Sequence, residues 1–216
     1  YGPLRAQSLS GRVWLRGDEL TLRASGEGVT TSGVSLGHVD VTAEGGGGRS
    51  YALHLRSHGG SDVQSASVDG HAVARGDAYV ITLDDYTVET PLGTYAQPEE
   101  GPPSRVTISG PSITFENVAF GSVDGSALTL DGALRTRGSS DIHIVIRDLP
   151  LATFRSRLPE GLSRLSGALD LDLTLTGPLR DPDLTVEGEI TEASLDDSRG
   201  FHVAYRFQYA DGTLTS

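Results

Sequence analysis

The feature that most constrains this chain is a period of two. Between Gly167 and Gly177, Leu169, Leu171, Leu173 and Leu175 alternate with Asp170, Asp172, Thr174 and Thr176. Successive side chains of an extended strand point to opposite faces, so this segment reads as a half-buried strand with one apolar and one wet side. Gly177-Pro178 closes it and Asp181-Pro182-Asp183 turns the chain. A new alternation then sets Leu184, Val186 and Ile190 against Thr185, Glu187 and Glu189, which predicts a hairpin. Phe201, Val203, Tyr205, Phe207 and Tyr209 alternate with His202, Ala204, Arg206 and Gln208, and Asp211-Gly212 marks the next turn before a last strand near Thr213.

The same grammar fills the rest of the chain. Val13 and Leu15, then Leu20 and Leu22, flank a turn at Gly17-Asp18. Val39 and Val41 precede the loop from Gly45 to Gly48, and Tyr51, Leu53 and Leu55 follow it. Tyr79, Ile81 and Leu83, Val106 and Ile108, Ile113 and Phe115, Leu128 and Leu130, and Ile142, Ile144 and Ile146 continue the series. With turns every 8 to 12 residues or so, the chain is expected to hold on the order of 15 antiparallel strands. Its 28 glycines among 216 residues punctuate these runs instead of clustering, and 37% hydrophobic residues are enough to offset the cost of ordering the chain.

Two segments depart from the pattern. Gln97 to Ser104 carries Pro98, Pro102 and Pro103, which predicts a loop over 98–104 between a β-rich segment, 1–97, and a second one, 105–216. Leu151, Phe154 and Leu158 stand three and four apart, with Pro150 before them and Pro159-Glu160-Gly161 after, which predicts one short amphipathic helix over about 151–158. That helix is expected either to gate an apolar surface or to cap the end of a sheet.

Strand after strand has one face of Leu, Ile, Val, Phe or Tyr and another of Asp, Glu, Arg, Thr, Ser or His. The expected fold is therefore all-β, a single elongated sheet, greasy on one side and wet on the other. A sheet of so many strands closes, folds onto itself or curls into a trough. At roughly 4.8 Å per strand it would run on the order of 70 Å. The competing arrangement is a closed sandwich in which the apolar face meets another sheet face.

Composition narrows the function. A net charge of −12 argues against nucleic acid and against steady attraction to an anionic membrane surface. All 17 basic residues are Arg, which removes lysine chemistry, and the absence of Cys removes disulfides, thiolates and Cys-based zinc sites. The chain has no Met, which leads us to expect a processed product or a fragment, with any targeting or anchoring segment outside it. His54 and His58 would share a strand face about 13 Å apart, too far for joint ligation, and His38, His71, His143 and His202 show no ligand spacing. Asp170 and Asp172 would share a face as a carboxylate pair does, yet alternation accounts for them as the wet side. The Glu44 to Ser50 glycine run lacks the lysine of a phosphate loop. No catalytic residue, metal site or cofactor is expected. A carbohydrate-binding module is disfavoured by a lone Trp14 and 6% aromatic residues.

Residues 78–216 resemble a known family. Asp148-Leu149-Pro150-Leu151 through Leu158-Pro159, then Ser166 to Leu171 and Thr174 to Leu184, look like the repeating pattern of TamB proteins in the wider AsmA-like group. Tyr79 to Leu83, Tyr95-Ala96-Gln97-Pro98 and Val123 to Leu134 resemble the strands that precede that block in such proteins. The resemblance implies a β-taco, a sheet bent into a U-shaped trough with a hydrophobic interior. It also implies an inner-membrane-anchored periplasmic protein of a Gram-negative bacterium that carries phospholipid between membranes. The alternative role associated with the family is a scaffold for outer-membrane protein assembly with an outer-membrane barrel partner. Expected partners are thus phospholipid acyl chains, such a barrel, and the remainder of a longer chain at both ends. The residues expected to line the groove are Leu128, Leu130, Ile142, Ile144, Ile146, Leu169, Leu171, Leu173, Leu175, Val186, Ile190, Val203, Tyr205 and Phe207, with Leu151, Phe154 and Leu158 as the candidate gate.

Overall fold

The computed structural model describes residues 5–31, 33–46, 50–154, 164–195, 198–210 and 212–215. It is all-β and antiparallel throughout, as the alternation requires. The chain divides into two compact units, Tyr1–Gly110 and Pro111–Ser216.

The first unit contains β1 (Ser8–Arg16), β2 (Glu19–Thr31), β3 (Val34–Gly46), β4 (Ser50–Gly59), β5 (Ser65–Arg75), β6 (Ala78–Thr90), β7 (Gly93–Ala96) and β8 (Ser104–Ser109). From β1 to β6 each strand pairs with the next. β7 and β8 are two pieces of one return path along β6: β7 pairs with residues 87–90 and β8 with residues 78–83. The proline-rich segment predicted as a loop bows out between them. Tyr86 sits beside this gap, almost fully buried, with its hydroxyl 2.9 Å from Ser104 Oγ, and its carbonyl accepts the Gln97 N–H.

The second unit is a meander of β9 (Ser112–Ser122), β10 (Ala127–Arg135), β11 (Ser139–Pro150), β12 (Ser166–Pro178), β13 (Asp183–Leu195), β14 (Ser198–Ala210) and β15 (Thr213–Thr215), each paired with the next. The expected short helix over about 151–158 is described only at its start. Leu151–Phe154 forms a single 3-10 turn packed against β12, with Leu151 buried; the rest of the predicted helix, including Leu158, and the Phe154 side chain lie outside the described residues. Pro150 ends β11, and its fixed φ suits the start of a turn.

Bulges interrupt the strands. Residues 27 and 28 of β2 stand opposite His38, 116 and 117 of β9 opposite Asp131, 147 and 148 of β11 opposite Asp170, and 191 and 192 of β13 opposite His202. In each, the second residue has a left-handed backbone: Gly28 (φ 58), Asn117 (φ 54), Asp148 (φ 53) and Glu192 (φ 50). The facing carboxylate stabilises two of them. Asn117 N–H donates to Asp131 Oδ1 at 2.7 Å and Asp148 N–H to Asp170 Oδ1 at 2.8 Å. β6 carries a further bulge at Asp84.

An extra residue bends its strand and resets the alternation. Phe115 and Val118, three apart, therefore share a face, as do Ile146 with Leu149, Ile190 with Ala193, Gly26 with Val29 and Leu83 with Tyr86. The second member of each pair is among the most buried side chains, between 0% and 8% exposed. In the second unit these bends fall opposite β12 positions 174, 170 and 168, so they cross the sheet obliquely. The deepest packing thus follows the bulges.

Candidate functional site

The registers assemble the apolar face of the second unit row by row. Phe120, Leu128, Ile146, Leu171, Gly188 and Tyr205 lie side by side across six strands. Val118, Leu130, Ile144, Leu173, Val186 and Phe207 form the next row, and Phe115, Gly132, Ile142, Leu175, Leu184 and Tyr209 the third. A shorter row joins Leu149, Leu169, Ile190 and Val203. All 14 residues singled out from the sequence as lining fall on this one face. Five steps between strands at roughly 4.8 Å make each six-strand row about 24 Å long.

This face is not sealed. Ile142 and Leu149 are buried, most of the others are half-buried, and Val203 and Phe207 remain 38% and 40% exposed.

One glycine on this face is required for space. A Cβ on Gly188 would come within 2.5 Å of Tyr205 Cζ and Oη, because the hydroxyl end of the Tyr205 ring lies over that position. The ring covers backbone that would otherwise be bare, and burial in these apolar surroundings raises the Tyr205 hydroxyl pKa above its ordinary value. Phe207 packs beside it with ring centroids 5.6 Å apart.

The opposite face is ionic. Arg147 places Nη2 3.0 and 3.2 Å from the two carboxylate oxygens of Asp172, and His143 lies 3.6 Å from the same group. Arg206 pairs with Glu187 at 3.2 Å and His202 with Glu189 at 3.3 Å. Asp170 accepts the bulge amide of Asp148. Asp170 and Asp172 are therefore each held by a cross-strand partner.

In the first unit the wet face carries four histidines. His38 lies between Glu27 (2.7 Å) and Asp40 (2.9 Å), and its ring sits 4.8 Å from that of His58. The hydrogen bond to Glu27 is the main reason its pKa is raised. Asp69 is held below the usual carboxylate range by Arg56, at 2.8 and 3.1 Å, and by His54. His71 meets Asp84 at 2.8 Å. Spacing along the chain missed the His38–His58 contact because it arises across strands, where the register of β3 and β4 sets the two residues directly opposite each other. Among the described residues, no group of three or more His, Cys, Asp or Glu is placed to hold a metal ion, and no helix is long and apolar enough to cross a membrane.

No protein-family model matches the chain, and no curated protein or solved structure matches it.

Proposed function

We propose that the apolar face of β9 to β14 is a lining along which phospholipid acyl chains travel, in an inner-membrane-anchored protein crossing the periplasm to the outer membrane. The observation that carries this reading is the set of transverse rows, large apolar side chains in register across six strands and only half covered. The resemblance of residues 78–216 to TamB proteins supports the cellular setting.

The chemistry needed is burial alone. A methylene leaving a bilayer for water costs about 0.8 kcal/mol. A row of Leu and Ile at even height removes much of that cost at every step, whereas a single deep pocket would trap its occupant. Charged headgroups stay in water, where the arginines and carboxylates of this chain solvate them. No bond is made or broken in this scheme.

A photo-crosslinking amino acid at position 173 or 144, activated in cells, tests it. Capture of phospholipid supports the conduit. Capture of protein alone, with an outer-membrane barrel as the adduct, overturns it in favour of an assembly scaffold.

A further inference from the structure

Of the four left-handed bulges, two face a carboxylate and two face a histidine, His38 at Gly28 and His202 at Glu192. Asp131 and Asp170 tie their bulges by accepting the bulge amide. His38 ties its bulge through a side chain instead, that of Glu27, the first of the two bulge residues.

The geometry at His38 fixes its protonation. Nδ1 lies 2.7 Å from Glu27 Oε1 on β2, and Nε2 lies 2.9 Å from Asp40 Oδ2 on β3. Carboxylates only accept and a neutral imidazole carries one N–H, so both contacts are hydrogen bonds only when the ring is an imidazolium. Among the described residues, His54, His71, His143 and His202 each meet a single carboxylate, which a neutral ring can serve. The His38 side chain is 22% exposed, less than either of its partners.

The remaining groups around the ring are accounted for. From β4 it faces His58, with Arg56 opposite Asp40; Arg56 is itself bonded to Asp69. Beyond His58, Ser65 of β5 donates to Glu89 of β6, and Asp62 of the β4–β5 loop accepts the Ser35 amide. β1 adds no charge here, since Ser8 stands opposite Glu27.

What this tie secures lies on the other face of the sheet. The extra residue of β2 brings Val29 into phase with Gly26 and opposite Gly37, where it is 6% exposed. We propose that His38 makes the β2 bulge a pH-sensitive latch that couples the wet face of the first unit to its apolar face. The imidazolium clamps Glu27 and Asp40 together across the strands and so holds Val29 buried. Loss of one proton leaves a single N–H for two carboxylates, and the clamp opens. This latch does not depend on what the apolar face carries.

Nuclear magnetic resonance of the full chain tests it. The nitrogen-15 shifts of the His38 ring are expected to show both nitrogens protonated at pH 6. The folded pKa of His38 is raised, so the tie is complete below the unfolded 6.5 and is lost as pH rises through the folded value. The Val29 methyls should shift with the same midpoint as His38, and the Val29 amide should exchange about threefold faster at pH 8 than at pH 6 after correction for its intrinsic rate. The methyls of Val118 and Leu149, behind the bulges tied by Asp131 and Asp170, should stay in place. His38→Gln and Glu27→Gln each remove the response of Val29, and Glu27→Gln also lowers the His38 midpoint because Asp40 alone remains. A singly protonated His38 ring at pH 6, Val29 signals that ignore the His38 midpoint, equal movement of Val118 and Leu149, or a Val29 response that survives in either variant overturns the proposal.

Discussion

The two units use one grammar to different depth. In the first, the apolar rows run Leu15, Leu20, Gly45, Tyr51, Ala72, Ile81 and Val13, Leu22, Ala43, Leu53, Gly70, Leu83, so every row contains two small residues or more. A third row, Leu9, Gly26, Val39, Ser57, Ala66, Val88, has three. Each six-strand row of the second unit has at most one, and Tyr205 covers it at Gly188. The wet faces differ in the reverse sense, with four histidines in the first unit and two in the second. Apolar burial scales with the methylenes presented, so the second unit offers the deeper apolar face, the one proposed above as the lining, while the first holds His38, the histidine whose pKa is raised.

The largest expected effect tests that ranking directly. Leu173→Asp, in the centre of the middle row, is expected to reduce binding of a fluorescent phospholipid at least tenfold, while Leu53→Asp, between Ala43 and Gly70, reduces it severalfold less. Equal losses would erase the distinction. Next is Gly188→Val, which drives Tyr205 off the face and should cost about 1–3 kcal/mol by urea denaturation. Adding Tyr205→Ala is expected to recover part of this. In the first unit Tyr86→Phe removes the buried hydroxyl contact to Ser104 and should cost about 1 kcal/mol in the same assay.

Cross-strand ion pairs are worth less. Arg147→Met should cost about 0.5 kcal/mol, since the Arg147 and Asp172 side chains are 44% and 42% exposed, and high salt is expected to shrink the difference. The smallest effect is one of pH. A histidine whose pKa is raised by folding contributes stability that is complete below its unfolded value of 6.5 and is lost as pH rises through the folded value. Amides of β3 and β4 should therefore lose hydrogen-exchange protection as pH climbs from about 6 to 8, and His38→Gln should flatten that change. Asp69 acts in the opposite direction: its depressed pKa contributes above the unfolded 3.8 and is lost as pH falls through the folded value.

The sheet was legible because alternation is a direct consequence of strand geometry. Leu169 to Leu175 and Ile142 to Ile146 fall on one face, as their spacing demanded. The bulges were not legible. Asn and Asp tolerate a left-handed backbone, so Asn117 and Asp148 carried a faint signal, whereas Glu192 carried none. Without the bulges, Val118, Leu149 and Ala193 are out of phase with the rows they join. Of the helix that a three-and-four spacing predicts, Leu151–Phe154 forms a 3-10 turn, and the remaining positions lie outside the described residues. His38 and His58 were read separately because register, which joins them, emerges only when the hairpin closes.

The pairing of each strand with its predecessor, unbroken from β1 to β6 and again from β9 to β15, has a kinetic consequence. Each new hairpin needs only the strand just laid down as its template, so loop closure stays short and the entropy lost before each gain is small. Either unit can therefore assemble in the order in which its residues arrive, from the first strand to the last. Each unit thus grows by laying one strand against an edge that already exists.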